Sequence, residues 1–208
     1  IHHEISDDKG ERILLGHADG SLSILDTRTG KPIKRIQLGD SDNFADVDTD
    51  PVLVGNQVFA AAYDTGIFAI DERNGEIRWT LREKAITQLA TDNSVLIAAG
   101  PGKAMAVDLK THRVLWRTTF KKGVPGRLKI QGGRIHFPID LGRIQVLSLK
   151  TGQPLQAIGS GLGVSADIDL DNDLLFYLSN SGHLVANSNA LNDGRVPTPN
   201  RQRQIGRA

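Results

Sequence analysis

Two turn motifs recur along this sequence with a shared spacing, and this repeat limits the folds that the chain can adopt. One motif is a short turn ending in glycine, and the other is a five-residue turn that begins with Asp or Ser. The longer turn recurs in steps of 45, 37 and 40 residues, measured at its last residue. Its copies are 26–30, 71–75, 108–112 and 148–152, and the shorter turn ends at Gly20, Gly66, Gly102, Gly142 and Gly182. A shared period of about 40 residues indicates a repeat architecture.

The residue types in these turns suit tight chain reversal. Asp or Ser at the start can accept backbone N–H groups, and Gly at the end adopts a positive φ at little cost. In the clearest copy, alternating apolar residues predict strands at 51–54, 57–63, 67–70 and 76–79. Four strands in each period of about 40 residues are typical of a β-propeller blade.

We therefore predict an all-β protein, a β-propeller of four-stranded antiparallel blades. About four and three-quarter blades fit the sequence as an arc over 1–190, with blades at 1–38, 46–83, 85–120 and 124–158 and a partial blade at 164–190. The partial blade lacks a recognisable fourth strand. We expect that strand to come from the other end of a longer protein, of which this chain forms roughly the C-terminal half of a ring.

An open arc of blades leaves an apolar face at each end, because each blade buries its faces only against its neighbours. We expect these faces to be covered by the missing N-terminal half of the propeller or by a second copy of the chain. The last residues, 191–208, follow a different pattern, with four arginines and two prolines and no strand or helix period. They are predicted to form a basic, flexible C-terminal tail.

Composition narrows the function classes. Lys and Arg number 25 against 24 Asp and Glu, a balance that gives no indication of a nucleic-acid partner, and none is predicted. The chain has no Cys, which excludes disulfides and thiolate metal sites, and no apolar run of about 18 residues. The six His lack metal-ligand spacing, and no activated Ser or carboxylate pair is recognisable. We predict a non-enzymatic protein with no catalytic residue, metal or cofactor.

Two further features are assigned structural roles. Trp79 and Trp116 lie four residues after equivalent turn ends and are predicted to pack between blades. The acidic run at 167–173 resembles the start of a calcium loop, but Asn172 and Leu178 stand where such a loop needs Gly and Glu. This run is interpreted as a strand with a solvated edge.

Asp46, Asp48 and Asp50 are the candidate partner-binding residues. They precede the first strand of the second blade, where the repeat gives no structural reason for three carboxylates. Because the residue before Pro51 is held in an extended conformation, the three side chains are expected to project to the same side. Like charges so close together are unfavourable unless they are solvated or partnered, so we predict a basic protein surface as the partner.

Two resemblances add to this interpretation. The stretches 69–79 and 106–116 resemble the PQQ-type propeller repeat. The motif DVDTDP at 46–51, followed by VFA at 58–60 and AY at 62–63, resembles the BamB family of outer-membrane β-barrel assembly lipoproteins. Only the second blade is close to that family, and the rest of about 10–190 matches at the level of the repeat.

The BamB resemblance implies an eight-bladed ring on the periplasmic side of the bacterial outer membrane. It implies a scaffold that binds the POTRA domains of BamA and assists insertion of outer-membrane proteins, without an enzymatic step. Asp46 and Asp48 match family positions on the BamA-binding surface. The family's other contact loop would align before Ile1, and its lipid anchor, the only expected membrane attachment, is absent from this chain.

Two alternatives remain open at this stage. A quinone-dependent dehydrogenase uses the same propeller repeat, but it needs an axial cofactor pocket with calcium ligands, and no clear ligand set is recognisable. An interaction ring of the WD-repeat type is suggested by Gly16-His17 and Leu25-Asp26, although the Gly-His pair occurs once and the Trp-Asp ending is missing.

Overall fold

The computed structural model describes residues 2–7, 10–39, 46–120, 123–140, 142–172, 174–188 and 203–207. All regular structure in these ranges is β-strand, arranged in five four-stranded sheets. Within the same ranges, no helix has the length and apolar character needed to cross a membrane. The prediction of an all-β fold made of four-stranded antiparallel blades is confirmed.

Strands that follow one another along the chain are neighbours in the first three sheets. The first sheet contains β1 (His2–Asp7), β2 (Gly10–Gly16), β3 (Ser21–Asp26) and β4 (Pro32–Gln37). The second contains β5 (Val52–Val54), β6 (Gln57–Ala62), β7 (Gly66–Asp71) and β8 (Ile77–Leu81). The third contains β9 (Gln88–Thr91), β10 (Val95–Gly100), β11 (Lys103–Asp108) and β12 (Val114–Thr119).

The last two sheets keep this order. The fourth sheet contains β13 (Lys129–Gln131), β14 (Arg134–Pro138), β15 (Arg143–Ser148) and β16 (Pro154–Gly159). The fifth contains β17 (Ile168–Asp171), β18 (Leu174–Leu178), β19 (His183–Ser188) and β20 (Arg203–Arg207).

The fifth sheet differs from the sequence-based expectation. Its fourth strand is β20, which pairs antiparallel with β19, for example Ala186 with Arg203 and His183 with Arg207. Part of the tail for which no strand is predicted therefore forms the edge of this sheet. The sequence of β20 has one aliphatic residue, Ile205, and therefore lacks the alternating apolar pattern from which a strand is predicted. The rest of the tail, 191–202 and 208, lies outside the described residues.

The chain divides into two compact units, one of residues 1–100 with 107–113 and the other of residues 101–106 with 114–208. In the first unit the apolar faces of the first two sheets form one core, and its largest fully buried members include Leu14, Leu22, Ile24 and Ile70. In the second unit the core joins the fourth and fifth sheets through residues such as Ile144, Val146, Ile168 and Leu175. Inner strands are buried on both faces, which explains uninterrupted apolar runs such as VFAAA in β6.

The repeated five-residue turns share one hydrogen-bond pattern. The last N–H donates to the first carbonyl at 2.8 Å in all four copies. The first side chain accepts a backbone N–H two or three residues further on, at 2.8 Å in Asp26, 2.9 Å in Asp71, 2.6 Å in Asp108 and 3.3 Å in Ser148. The last residue has a positive φ in every copy, at Gly30, Gly75, His112 and Gly152. Glycine occupies this last position in three copies, and His112 occupies it in the remaining one.

Candidate partner-binding segment

The acidic segment, residues 46–50, lies between β4 and β5 and is bonded to both of the first two sheets. The N–H of Val47 donates to the carbonyl of His17, 3.1 Å away, in the turn after β2. The carbonyl of Asp46 accepts the N–H of Tyr63, the residue directly after β6, at 3.0 Å. Two successive residues of the segment are therefore fixed to different sheets.

Burial alternates along the acidic segment. Val47 is 2 % exposed and Thr49 is 0 % exposed, whereas Asp48 is exposed and Asp46 and Asp50 are half-buried. This alternation directs the apolar and hydroxyl side chains inward and leaves the carboxylates on the more accessible side. The three positions proposed from sequence as partner-binding residues thus belong to one short connecting segment between β4 and β5.

A close approach between backbones holds the segment against the first sheet. The side chain of Val47 joins the core of the first unit. A β-carbon at Gly16 would stand 2.2 Å from the carbonyl oxygen of Val47, so only glycine fits at the end of β2. The sequence predicts a turn ending at Gly20 but not this contact, because its two partners are far apart along the chain.

Another carboxylate near the segment is already paired. Asp19, in the turn after β2, forms an ion pair with Arg35 and accepts the hydroxyl of Ser21 at 2.6 Å. The hydrogen bond from Ser21, together with the guanidinium of Arg35, holds the pKa of Asp19 below its usual value. Asp19 is therefore engaged within its own sheet.

The two tryptophans face turns of the following sheet. Trp79, in β8, stacks with the ring of His112, with centroids 5.0 Å apart and 26° between the planes. The indole N–H of Trp116, in β12, donates to the carbonyl of Leu149 at 2.9 Å. Its ring also lies against Gly152. The partners of both tryptophans occupy the repeated five-residue turn.

Two carboxylates of the acidic run at 167–173 face basic side chains at the start of the fourth sheet, one in β13 and one just before it. Arg127 lies 3.6 Å from Asp167, and Lys129 lies 3.8 Å from Asp169. Asn172 has a positive φ in the turn after β17, and Asp173 lies outside the described residues. In the part of the chain that the structure describes, no group of three or more His, Cys, Asp or Glu side chains is placed to hold a metal ion.

Sequence reasoning missed the role of Thr49. Its hydroxyl accepts the N–H of Ala61 at 3.0 Å in a fully buried position. The available signal is a hydroxyl residue between two acidic residues and directly before an Asp-Pro pair. That signal is weak, because Ser and Thr are common in connecting segments.

Comparison with known proteins shows the family to which this chain is similar. A family model described as outer membrane protein assembly factor BamB matches residues 3–118 and, in an overlapping second match, 67–186. The BamB of Legionella pneumophila is 25 % identical over 181 residues, covering 83 % of this chain and 47 % of that protein. The BamB of Alkalilimnicola ehrlichii is 26 % identical over 196 residues, covering 85 % of this chain and 49 % of that protein.

A solved structure shows the same fold. The crystal structure of BamB from Moraxella catarrhalis matches with a TM-score of 0.72 and 23 % identity, covering 88 % of this chain and 56 % of that one. The two curated relatives match most of the length of this chain, and the match spans about half of the length of each relative. The blades described above are therefore blades of a β-propeller.

Proposed function

We propose that this chain, which belongs to the BamB family of outer membrane protein assembly factors, is a binding subunit of the machinery that assembles β-barrel proteins in the outer membrane. Its role is to bind the periplasmic POTRA domains of BamA through the acidic segment and to hold them in position. No bond is made or broken in this role. The full-length protein would act on the periplasmic side of the outer membrane, attached through a lipid anchor.

Alternating burial in the acidic segment is the observation that carries this proposal. Val47 and Thr49 are buried and hold the backbone, while the carboxylate of Asp48 is exposed between them. Such a segment presents negative charge from a fixed backbone, which lowers the conformational entropy lost on binding. Complementary charges across an interface also steer the encounter and select the partner.

The test uses carboxylate substitutions and the isolated periplasmic region of BamA. Asp46→Ala combined with Asp48→Ala is expected to weaken binding about tenfold or more, and Asp48→Arg to weaken it further, because reversal adds repulsion. Affinity is measured by calorimetry at low and at moderate salt. The loss should be larger at low salt, where charges are less screened.

Asp169→Ala is the matched control. Asp169 is an exposed carboxylate of the fifth sheet whose side chain is 79 % accessible, and removing it changes the net charge by the same amount as one substitution in the acidic segment. This variant should bind like the original chain. Equal affinities for the original chain and the double Ala variant at both salt concentrations would overturn the proposal.

A further inference from the structure

The hydroxyl of Thr49 stands in for a missing strand partner. It accepts the N–H of Ala61 at 3.0 Å and donates to the carbonyl of the same residue at 3.5 Å. Both residues are 0 % exposed. One side chain thus occupies the donor and the acceptor of a residue in β6, as a paired strand residue would do.

The register of the second sheet explains why a side chain is needed there. In this sheet β5 pairs with β6 from Val54 opposite Gln57 to Val52 opposite Phe59. Extending this register places Pro51 opposite Ala60 and Asp50 opposite Ala61. Pro51 has no N–H, and the backbone bends at Thr49, so the ladder stops at Val52. Without the hydroxyl, the N–H of Ala61 would be buried and unsatisfied, which is costly.

We infer that Thr49 is a positioning residue that holds the acidic segment in its binding conformation, an inference that rests on the proposed function. Asp48 lies between two fixed points, since the N–H of Val47 is bonded to His17 in the first sheet and Thr49 is bonded to Ala61 in the second. Removing the Thr49 hydroxyl releases the second of these two fixed points. The carboxylate of Asp48 then samples more conformations, and binding must reorder it.

The test compares Thr49→Val, which removes the hydroxyl at nearly constant volume, with Thr49→Ser, which keeps it. Thr49→Val is expected to weaken binding to the BamA periplasmic region roughly tenfold, whereas Thr49→Ser binds within about twofold of the original chain. Thr91→Val is the matched control. The Thr91 hydroxyl donates to the Val95 carbonyl at 3.0 Å in the turn after β9, and its loss should leave the affinity unchanged.

A double-mutant cycle separates positioning from general destabilisation. Thr49→Val is measured in the original chain and in the chain that carries Asp46→Ala and Asp48→Ala. If Thr49 acts through the carboxylates, its effect on affinity shrinks to within about twofold in the second background. An equal loss in both backgrounds would overturn the inference, because the hydroxyl would then act on the whole fold.

Amide hydrogen exchange gives a readout that needs no partner. Thr49→Val should accelerate exchange at Ala61, and also at Val47 and Tyr63, whose N–H groups bond the segment to the first and second sheets, while the amides of β7 keep their protection. Unchanged exchange at Val47 and Tyr63 would overturn the positioning role whatever the affinities are. If instead the double Ala variant binds like the original chain, the proposed function is wrong, and the exchange result still decides the role of Thr49.

Discussion

Trp116 lies so close to Gly152 that a β-carbon at position 152 would stand 2.4 Å from the indole ring. The same indole donates its N–H to the carbonyl of Leu149, three residues before Gly152 in the turn that joins β15 to β16. One side chain of the third sheet is thus both packed on and hydrogen-bonded to a turn of the fourth. Glycine at 152 meets two requirements, because its φ is +69° as well.

Gly152→Ala should therefore destabilise the protein more than an ordinary turn glycine substitution does. We expect a loss of about 2–4 kcal/mol in the free energy of unfolding, from the positive φ and from the clash with the ring. Gly30→Ala is the control, since Gly30 has a φ of +66° with no atom within 4 Å of an added β-carbon. Its loss should be about 1–2 kcal/mol. Equal losses in urea denaturation would contradict the packing argument.

His112 accepts an unfavourable backbone conformation, with a φ of +56°, while its ring stacks on Trp79. His112→Ala keeps the positive φ and loses the ring, so we expect a loss of about 1 kcal/mol. His112→Gly loses the ring but relieves the backbone by about 1–2 kcal/mol, so its stability should equal or slightly exceed that of the original chain. In a Trp79→Ala background the cost of His112→Ala should nearly vanish. An unchanged cost there would refute the stacking explanation.

The Arg12–Glu72 ion pair joins β2 to the turn after β7, with side chains 15 % and 5 % exposed. Arg12→Met leaves a buried, unpaired carboxylate and should cost about 3–5 kcal/mol in unfolding free energy. Adding Glu72→Met should recover most of that loss, because no buried charge remains. As a comparison, Arg78→Met breaks two ion pairs of an exposed guanidinium, with Asp71 and Glu76, and should cost at most about 1 kcal/mol. Similar losses for Arg12→Met and Arg78→Met would show that burial is not decisive here.

Asp108 makes stability depend on pH in the acid range. The hydroxyl and then the N–H of Thr111 bond to its carboxylate and hold its pKa below the usual 3.8. A folded-state pKa that is lowered stabilises the fold above the usual value, and this stabilisation disappears as the pH falls below 3.8 through the folded-state pKa.

Asp108→Ser tests this dependence, because Ser148 is the uncharged equivalent in the fourth sheet and its hydroxyl accepts the N–H of Thr151. The original chain should be more stable than Asp108→Ser at pH 7, and the difference should shrink below pH 3.8. Ser148→Asp should show the reverse, a gain at pH 7 that is lost in acid. Denaturation curves at several pH values measure both variants, and a difference that does not change with pH would count against the proton linkage.

Much of the fold could be predicted from local chemistry. Turn residues such as Asp26 and Gly30 act within five residues of each other, so their spacing alone located the blades. The strand β20 could not be predicted in the same way. Its pairing with β19 uses backbone groups, and backbone hydrogen bonds leave no mark on a sequence such as RQIGR.

The charged residues of the candidate site could be predicted from the sequence, but the contacts that hold its backbone could not. Three Asp at alternate positions before Pro51 were visible in the sequence, together with their expected common direction. The contacts of Val47 with His17 and of Thr49 with Ala61 depend on how two sheets lie beside a connecting segment. Such long-range contacts carry no local sequence signal.

The contact between Trp116 and Gly152 has equivalents earlier in the chain, where Trp79 stacks on His112 and where Ile36 and Lys34 lie beside Gly75. In each case the residue four positions after one turn touches the last residue of the next turn. Chimeras of this protein with a relative should therefore avoid crossover points between blades, which would separate the two halves of a fitted pair. A crossover placed inside a blade, between Gly75 and Trp79, keeps the pairs intact, because Lys34 and Gly75 then come from one parent and Trp79 and His112 from the other. The unit that can be exchanged runs from one outer strand to the turn that it touches.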